Sequence, residues 1–595
     1  MKNGLLLPFA LLVLLIASLA GCGSGNSGSQ TALSSMAASE SCIRCHLTKN
    51  NISKVTGSNI VDEWTLSAHN TTNGASCIDC HGSGNGHPNS CGGCHGGSSP
   101  ISAGFHNPEP AGMCYRCHGP DHQDDVMIAN APQHFGNMTA SSSNTKYRAS
   151  YVSSQYLGNC RKCHNPHNPS AAIAISHQWA DSGLGDTLAG ARTAYDFKTR
   201  GTYQPVNVTF ENYCVRCHTS TGYINYISSG LSDQRPFAGP GYKVVQYPYT
   251  SADKTKEVTG CNVCHDDGKG NAYSFKLRTV PQVRVYYNYS ATKAVSVQTK
   301  LSVKINNDPV FYPDAGASNM CIVCHAGRGI GKMISTAAVA PYFFNFSTNS
   351  QISSHDFTGA ATLFQRSGYE YAGRDYTSPT LLHDEIGLNN KNGTGTLGPC
   401  ITCHMKSGES HSFLPVTFNN QPVSDPSAIQ VSGIVSRTCA KCHNGAIKPA
   451  WTATTLQAKR AGFQAALTLY NGLLAQKKVA GTTNWERLYG KGTGPDTMGA
   501  NFNYGTMKND WGAYAHNDLY AKRLIFDSID WLFDGNLSVT TNTGGYVTDV
   551  EAAINSVTTA KNPWSASTVY TGPALDSLKT AAITYLLGGP GGSRP

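Results

Sequence analysis

Cys77-Ile78-Asp79-Cys80-His81-Gly82-Ser83-Gly84-Asn85-Gly86-His87-Pro88-Asn89-Ser90-Cys91-Gly92-Gly93-Cys94-His95 holds two copies of C-x-x-C-H with one further histidine between them. In this pattern the two cysteines form thioether bonds to the vinyl groups of a c-type haem. Two intervening residues match the vinyl spacing, and the next histidine falls under the iron as an axial ligand. Nine residues separate His81 from Cys91. A segment this short has no room for an apolar core, so two closely held cofactors must supply one.

Working outward, the pattern recurs along the chain. Of 21 cysteines, all but Cys22 fall in ten such motifs: Cys42, Cys45 and His46; Cys77, Cys80 and His81; Cys91, Cys94 and His95; Cys114, Cys117 and His118; Cys160, Cys163 and His164; Cys214, Cys217 and His218; Cys261, Cys264 and His265; Cys321, Cys324 and His325; Cys400, Cys403 and His404; Cys439, Cys442 and His443. Chance at this composition gives about 0.03 motifs. Zinc knuckles would mix C-x-x-C with separated pairs, and disulfides would need no histidine after every second cysteine. The expected cofactors are therefore ten c-type haems, with the ten motif histidines as proximal iron ligands.

Eleven histidines remain, one more than ten six-coordinate irons require. His69, His87, His106, His134, His167, His177, His355, His383, His411 and His516 are the distal candidates. His122 is the spare, because it sits beside Asp121, Asp124 and Asp125. His167 lies too close to His164 to reach the far side of the same haem and should serve a neighbour. Met113, Met320 and Met405 flank motifs and are assigned to packing. Two imidazoles hold an iron at low potential relative to His/Met ligation, so the count favours an all-bis-histidine electron carrier.

The formal charge of +9 is not a nucleic-acid signal. Each bis-histidine haem with ionised propionates adds about −1 when oxidised and −2 when reduced. Without Lys2, ten haems bring the molecule to roughly −2 oxidised and −12 reduced.

The chain opens with a short basic start and an apolar run from Leu5 to Leu19. It reads as a secretory signal peptide over 1–21. Its Leu19-Ala20-Gly21-Cys22 ending resembles a bacterial lipobox, which would make Cys22 the lipidated first residue of the mature protein. Residues 22–40, rich in Gly, Ser, Asn, Ala and Thr, read as a flexible tether. A pentahaem module is expected over 41–200 and a second over 201–450. The second contains a small β insert at about 272–312, where Val283, Val285, Tyr287 and Tyr289, then Val295 and Val297, then Leu301, Val303 and Ile305 alternate with other residues. Residues 451–595 form a haem-free region with helices expected at 454–478, 515–533 and 573–587, the latter two stopped by Gly535 and Gly588. The expected fold class is a multihaem cytochrome c, mostly coil with short helices around a haem chain, plus the β insert and a helical C-terminal region.

With its lipobox, ten motifs and histidine surplus, the chain resembles the outer-membrane decahaem c-type cytochrome lipoproteins of metal-reducing bacteria, within the multihaem cytochrome c superfamily. Cys160-Arg161-Lys162-Cys163-His164-Asn165-Pro166-His167 looks like the C-x-x-C-H-x-P-H pattern frequent in that group. Here Cys42 follows the tether directly, where the best-known decahaem group has a large β-domain first. The resemblance implies lipid anchoring at the outer membrane, facing the periplasm or the cell surface. It also implies transfer of respiratory electrons to Fe(III) or Mn(IV) oxides, an electrode or a partner cytochrome, beside a porin-like conduit. Two other functions stand beside the conduit. One is a small-molecule reductase or oxidase with one open iron, and the other a filament subunit in which His516 ligates a haem of the next protomer.

Overall fold

The computed structural model describes residues 35–48 and 58–67, a few single positions up to 191, then 215–228, 259–265, 276–285, 310–339, 354–388, 396–405, 410–419, 426–477, 495–538 and 545–595, apart from positions 328, 367 and 566. The signal and lipobox, most of the tether and, except for Cys77, the 77–95 stretch lie outside the described residues. The chain divides into two compact units, residues 1–195 with 249–258, and residues 196–248 with 259–595.

In the first unit, α1 (Ser35–Thr48) carries the first motif. The i, i+4 relation puts Cys42 and His46 on one helical face. The single turn and a half of α2 (Ile60–Thr65) is capped by Asn59, whose side chain accepts from the Val61 amide at 2.8 Å, and it buries Val61 and Trp64.

The second unit repeats the same local solution. Its five motifs fall on short helices: α3 (Val215–His218), followed by α4 (Ser220–Ser228), α5 (Cys261–Cys264), α6 (Asn319–His325), α9 (Gly398–His404) and α10 (Arg437–Cys442). Between them lie α7 (Lys332–Ala338) and α8 (Gly359–Leu363). One helical turn brings residues i, i+3 and i+4 onto one side, which is what two thioethers and an axial imidazole on one haem require. The insert begins and ends in a short antiparallel pair, β1 (Arg284–Val285) with β2 (Val310–Phe311), in the register Arg284↔Phe311. The alternating positions from Tyr287 to Ile305 lie outside the described residues. A second pair, β3 (Val416–Phe418) with β4 (Val431–Ile434), carries a register shift at Thr417/Phe418.

After His443 come α11 (Ala453–Lys477), α12 (Pro495–Lys508), α13 (Ala513–His516), α14 (Asp518–Asp534), α15 (Gly545–Ser556), the β5 (Ala560–Lys561)–β6 (Val569–Tyr570) pair and α16 (Gly572–Leu587). The stripe Leu456, Phe463, Leu467, Tyr470 and Leu474 on α11 is fully buried. Each such side chain contributes about 1.5–3 kcal/mol on removal from water. Gly535 and Gly588 end α14 and α16 at φ 79° and 76°, a left-handed conformation that glycine adopts without steric cost.

These helices are not a separate layer. Their core continues through Tyr369, Tyr371 and Tyr376 and into Val416 and Val431 of the β3–β4 pair. Asn503 on α12 clamps Tyr369 from both sides, its Oδ1 accepting from the Tyr369 amide at 2.6 Å and its Nδ2 donating to the Tyr369 carbonyl at 2.9 Å. A second apolar cluster, with Tyr223, Val263, Tyr312, Met320, Ile322, Met333 and Ile401, lies among the motif helices. Met320 is part of this core, as its assignment to packing requires. Among the described residues, no helix is long and apolar enough to cross a membrane.

Asp527 on α14 is fully buried. It accepts Arg594 Nη2 at 2.6 Å and Nε at 2.8 Å, with Arg374 Nε at 3.9 Å. The carboxylate thus ties both the chain's end and the 368–376 segment to α14. Removing one partner of a buried pair strands the others. Asp527→Ala is therefore expected to lower stability by about 3–5 kcal/mol. Guanidinium denaturation followed by far-ultraviolet circular dichroism measures this, and an unchanged midpoint would show the cluster to be energetically idle.

Candidate metal centres

Four proximal histidines of the second unit each face a histidine from a remote segment. His218 faces His355 with ring centroids 6.2 Å apart, His265 faces His411 at 6.2 Å, His404 faces His516 at 6.1 Å, and His443 faces His383 at 6.2 Å. Two metal–imidazole bonds of ~2.0 Å plus ~1.1 Å from each nitrogen to its ring centre give roughly 6.2 Å. The four separations would suit a metal ion held between two imidazoles. They are too long for a direct ring–ring hydrogen bond and too uniform across four unrelated loops for ordinary packing.

The outer ring nitrogens support the same reading. His404 Nδ1 donates to Phe413 O at 2.9 Å, His383 Nδ1 to Ala515 O at 2.8 Å, and His443 Nδ1 to Pro449 O at 3.2 Å. His411 Nδ1 bonds Ser410 Oγ at 2.9 Å, and His516 Nδ1 lies 2.8 and 2.9 Å from the two oxygens of Asp510. A metal-bound histidine usually engages its second nitrogen in this way, which sets the tautomer and aims the other nitrogen. Desolvation lowers the pKa of His404 and His383 and pushes His411 to about 4, favouring the neutral imidazole that ligates metal. The residues present therefore fit a haem at each of these four motifs. When bound, haem iron supplies a one-electron Fe(III)/Fe(II) couple.

The supporting residues were not legible in the motif pattern. His355 (φ 61°) and Phe357 (φ 63°) are both in the left-handed region, a strained backbone that persists only where its surroundings impose it. Asn509 imposes it here, donating to His355 O at 2.7 Å and Ser354 Oγ at 3.1 Å, while Thr358 Oγ1 donates to Thr506 O at 2.8 Å. His516 needs two glycines beside it. A Cβ at Gly359 or Gly512 would lie 2.9 or 2.8 Å from its Cε1. Trp451 stacks on His443 with centroids 3.8 Å apart, fixing the ring plane. His325 differs from the other four motif histidines. The aromatic ring recorded against it is Phe357, edge-on at 5.3 Å.

The five motifs are contiguous. Thr259 Oγ1 donates to Cys217 O at 3.5 Å, and the Gly260 amide to Ser220 Oγ at 2.8 Å, joining the Cys261 and Cys214 motifs. Cys217 Sγ lies 3.7 Å from Val323 O and Cys324 Sγ 4.0 Å from Cys217 O, joining the Cys214 and Cys321 motifs. Ser318 Oγ donates to Leu397 O at 2.7 Å and accepts the Ile401 amide at 3.2 Å, joining the Cys321 and Cys400 motifs. Thr438 Oγ1 donates to Thr402 O at 2.7 Å, joining the Cys400 and Cys439 motifs. The run ends in a solvent-facing segment where Lys441, Asn444 to Ile447, Pro449 and Ala450 are exposed.

Of the sites expected before residue 196, the side chains of Cys42, His46 and Cys77 are described. Cys22, Cys45, Cys80, His81, Cys91, Cys94, His95, Cys114, Cys117, His118, Cys160, Cys163 and His164 lie outside, as do the candidates His69, His87, His106, His134, His167 and His177 and the spare His122. In the second unit only Cys214 lies outside the described residues.

Residues 87–274 match the family described as outer membrane cytochrome MtrC/MtrF-like, domains II/IV. The C-type polyheme cytochrome OmcB of Geobacter sulfurreducens (strain DL-1 / KN400) is 34% identical over 406 residues, covering 63% of this chain and 49% of that protein. The C-type polyheme cytochrome OmcC of Geobacter sulfurreducens (strain ATCC 51573 / DSM 12127 / PCA) is 33% identical over 414 residues, covering 64% and 47%. The chain thus spans about half the length of the curated relatives it matches. No solved structure matches it. C-x-x-C-H motifs, opposed imidazoles and these similarities agree, and the chain is similar to outer-membrane multihaem c-type cytochromes.

Proposed function

We propose that the chain carries respiratory electrons through ten covalently held c-type haems at the outer membrane, anchored by lipid on Cys22. It delivers them to extracellular Fe(III) or Mn(IV) oxides, an electrode or a partner cytochrome. Periplasmic or outer-membrane cytochromes, and a porin-like conduit, are the partners on the donor side. The observation that carries this reading is the set of four opposed histidine pairs on contiguous motifs. Paired imidazoles would hold each iron from both sides, which suits an electron carrier and would leave no substrate site there. Protein side chains fix the spacing of neighbouring centres and tune each one through the partner of the ligand's outer nitrogen. The exposed segment around His443 provides an edge where an acceptor too large for any pocket is reached.

A second reading, a reductase or oxidase with one open iron, draws on one observation. Residues 196–595 contain five motif histidines and four others, and all four others already face His218, His265, His404 and His443. The conduit reading requires His325 to be matched by some further ligand. The filament reading loses its strongest residue, since His516 faces His404 of its own chain.

Substituting Ala for His355, His383, His411 or His516 is expected to convert one low-spin iron to high spin in each case. Electron paramagnetic resonance and visible spectra report this, and an unchanged spectrum removes that pair. Carbon monoxide added to the reduced wild type separates the first two readings. The conduit binds none, whereas an open iron at His325 binds one equivalent. Cys22→Ala is expected to release the protein from the membrane fraction, and unchanged sedimentation with membranes would contradict the lipid anchor.

A further inference from the structure

The His404/His516 and His443/His383 pairs are neighbours. Their motifs are joined through Thr438 and Thr402, and His383 Nδ1 bonds the backbone carbonyls of Ala515 at 2.8 Å and His516 at 3.3 Å. The two pairs differ in what holds the outer nitrogens. At His443/His383 both partners are neutral carbonyls, Pro449 O and Ala515 O. At His404/His516 one partner is the Phe413 carbonyl and the other is the carboxylate of Asp510.

Asp510 is built into place. It is only 3% exposed. Its Oδ1 also accepts the Gly512 amide at 3.0 Å. The His516 Nδ1–H and the Gly512 amide both donate to it, an environment that suits a carboxylate, which only accepts. A buried negative charge is weakly screened. Bonded to Nδ1–H, it gives the imidazole anionic character and makes Nε2 a stronger donor. A stronger donor stabilises the oxidised over the reduced metal.

We infer that Asp510 is a tuning residue, lowering the reduction potential of the iron held by His404 and His516 below the value a neutral hydrogen-bond partner would set. This rests on the reading that His404 and His516 are that iron's axial ligands. The effect comes from a fixed charge, and no proton is transferred.

The test compares wild type with Asp510→Asn, Asp510→Glu and His516→Ala in redox titrations of the full-length haem-loaded protein, each point read by electron paramagnetic resonance. Asparagine keeps the shape and the hydrogen bond but removes the charge. Asp510→Asn is expected to leave every iron low-spin and to favour reduction of one centre about tenfold, a shift of about 59 mV upward for a one-electron couple. Asp510→Glu is expected to keep the low potential. A low-spin Asp510→Asn protein with unshifted potentials overturns the inference and leaves the ligand pair standing. A high-spin Asp510→Asn protein also overturns it, by showing that Asp510 only positions the ring. His516→Ala reports on the ligand reading itself, and if no iron becomes high-spin, both fall.

Discussion

Everything in the second unit depends on two imidazoles being held opposite one another with room for one metal ion between them. Four times the chain brings this about, and each time the two rings come from segments far apart in sequence. His265 meets His411, and His404 meets His516 across the whole of α11 and α12. An iron held by such a pair would close a loop of more than a hundred residues in three cases and of sixty in the His383/His443 case. Loop closure by a covalently held cofactor removes chain entropy from the unfolded state, and binding free energy becomes folding free energy. The short motif helices, too brief to be stable alone, need this restraint.

The helices that follow His443 serve the same constraint. They are conventionally packed, with a core of Leu, Phe, Tyr and Ile around α11 and α14. That rigid body reaches back among the motif helices and their connecting segments at three points. Asn509 forces the left-handed turn that carries His355, Asn503 clamps Tyr369, and α13 presents His516 with Asp510 behind it. Ligands on packed elements hold their geometry more closely than ligands on free loops. The C-terminal region therefore acts as the scaffold for at least two of the five centres in its unit.

Much of this was legible in the sequence. The ten motifs and the histidine surplus require no structure, because thioether spacing and axial ligation are local chemistry. The helix at 453–477 was readable because its apolar stripe has a clean period, and the stops at Gly535 and Gly588 because glycine favours left-handed caps. By contrast, α12 was missed. It is buried nearly all round, with Asn501, Asn503, Thr497 and Thr506 inside, so it shows no amphipathic stripe. Pairing was illegible for a different reason. Which distal histidine meets which motif is decided by long-range packing, and sequence distance carries no information about it. Asp510 was invisible for the same reason, since an Asp-Trp-Gly turn reads as surface until His516 is seen resting against it.

An experimental density map of the haem-loaded protein tests the central claim most directly, by locating each iron relative to its two nearest imidazoles. The account predicts iron midway between His218 and His355, His265 and His411, His404 and His516, and His443 and His383. Iron at any of these four motifs bound by a different sixth ligand, or by none, would contradict it.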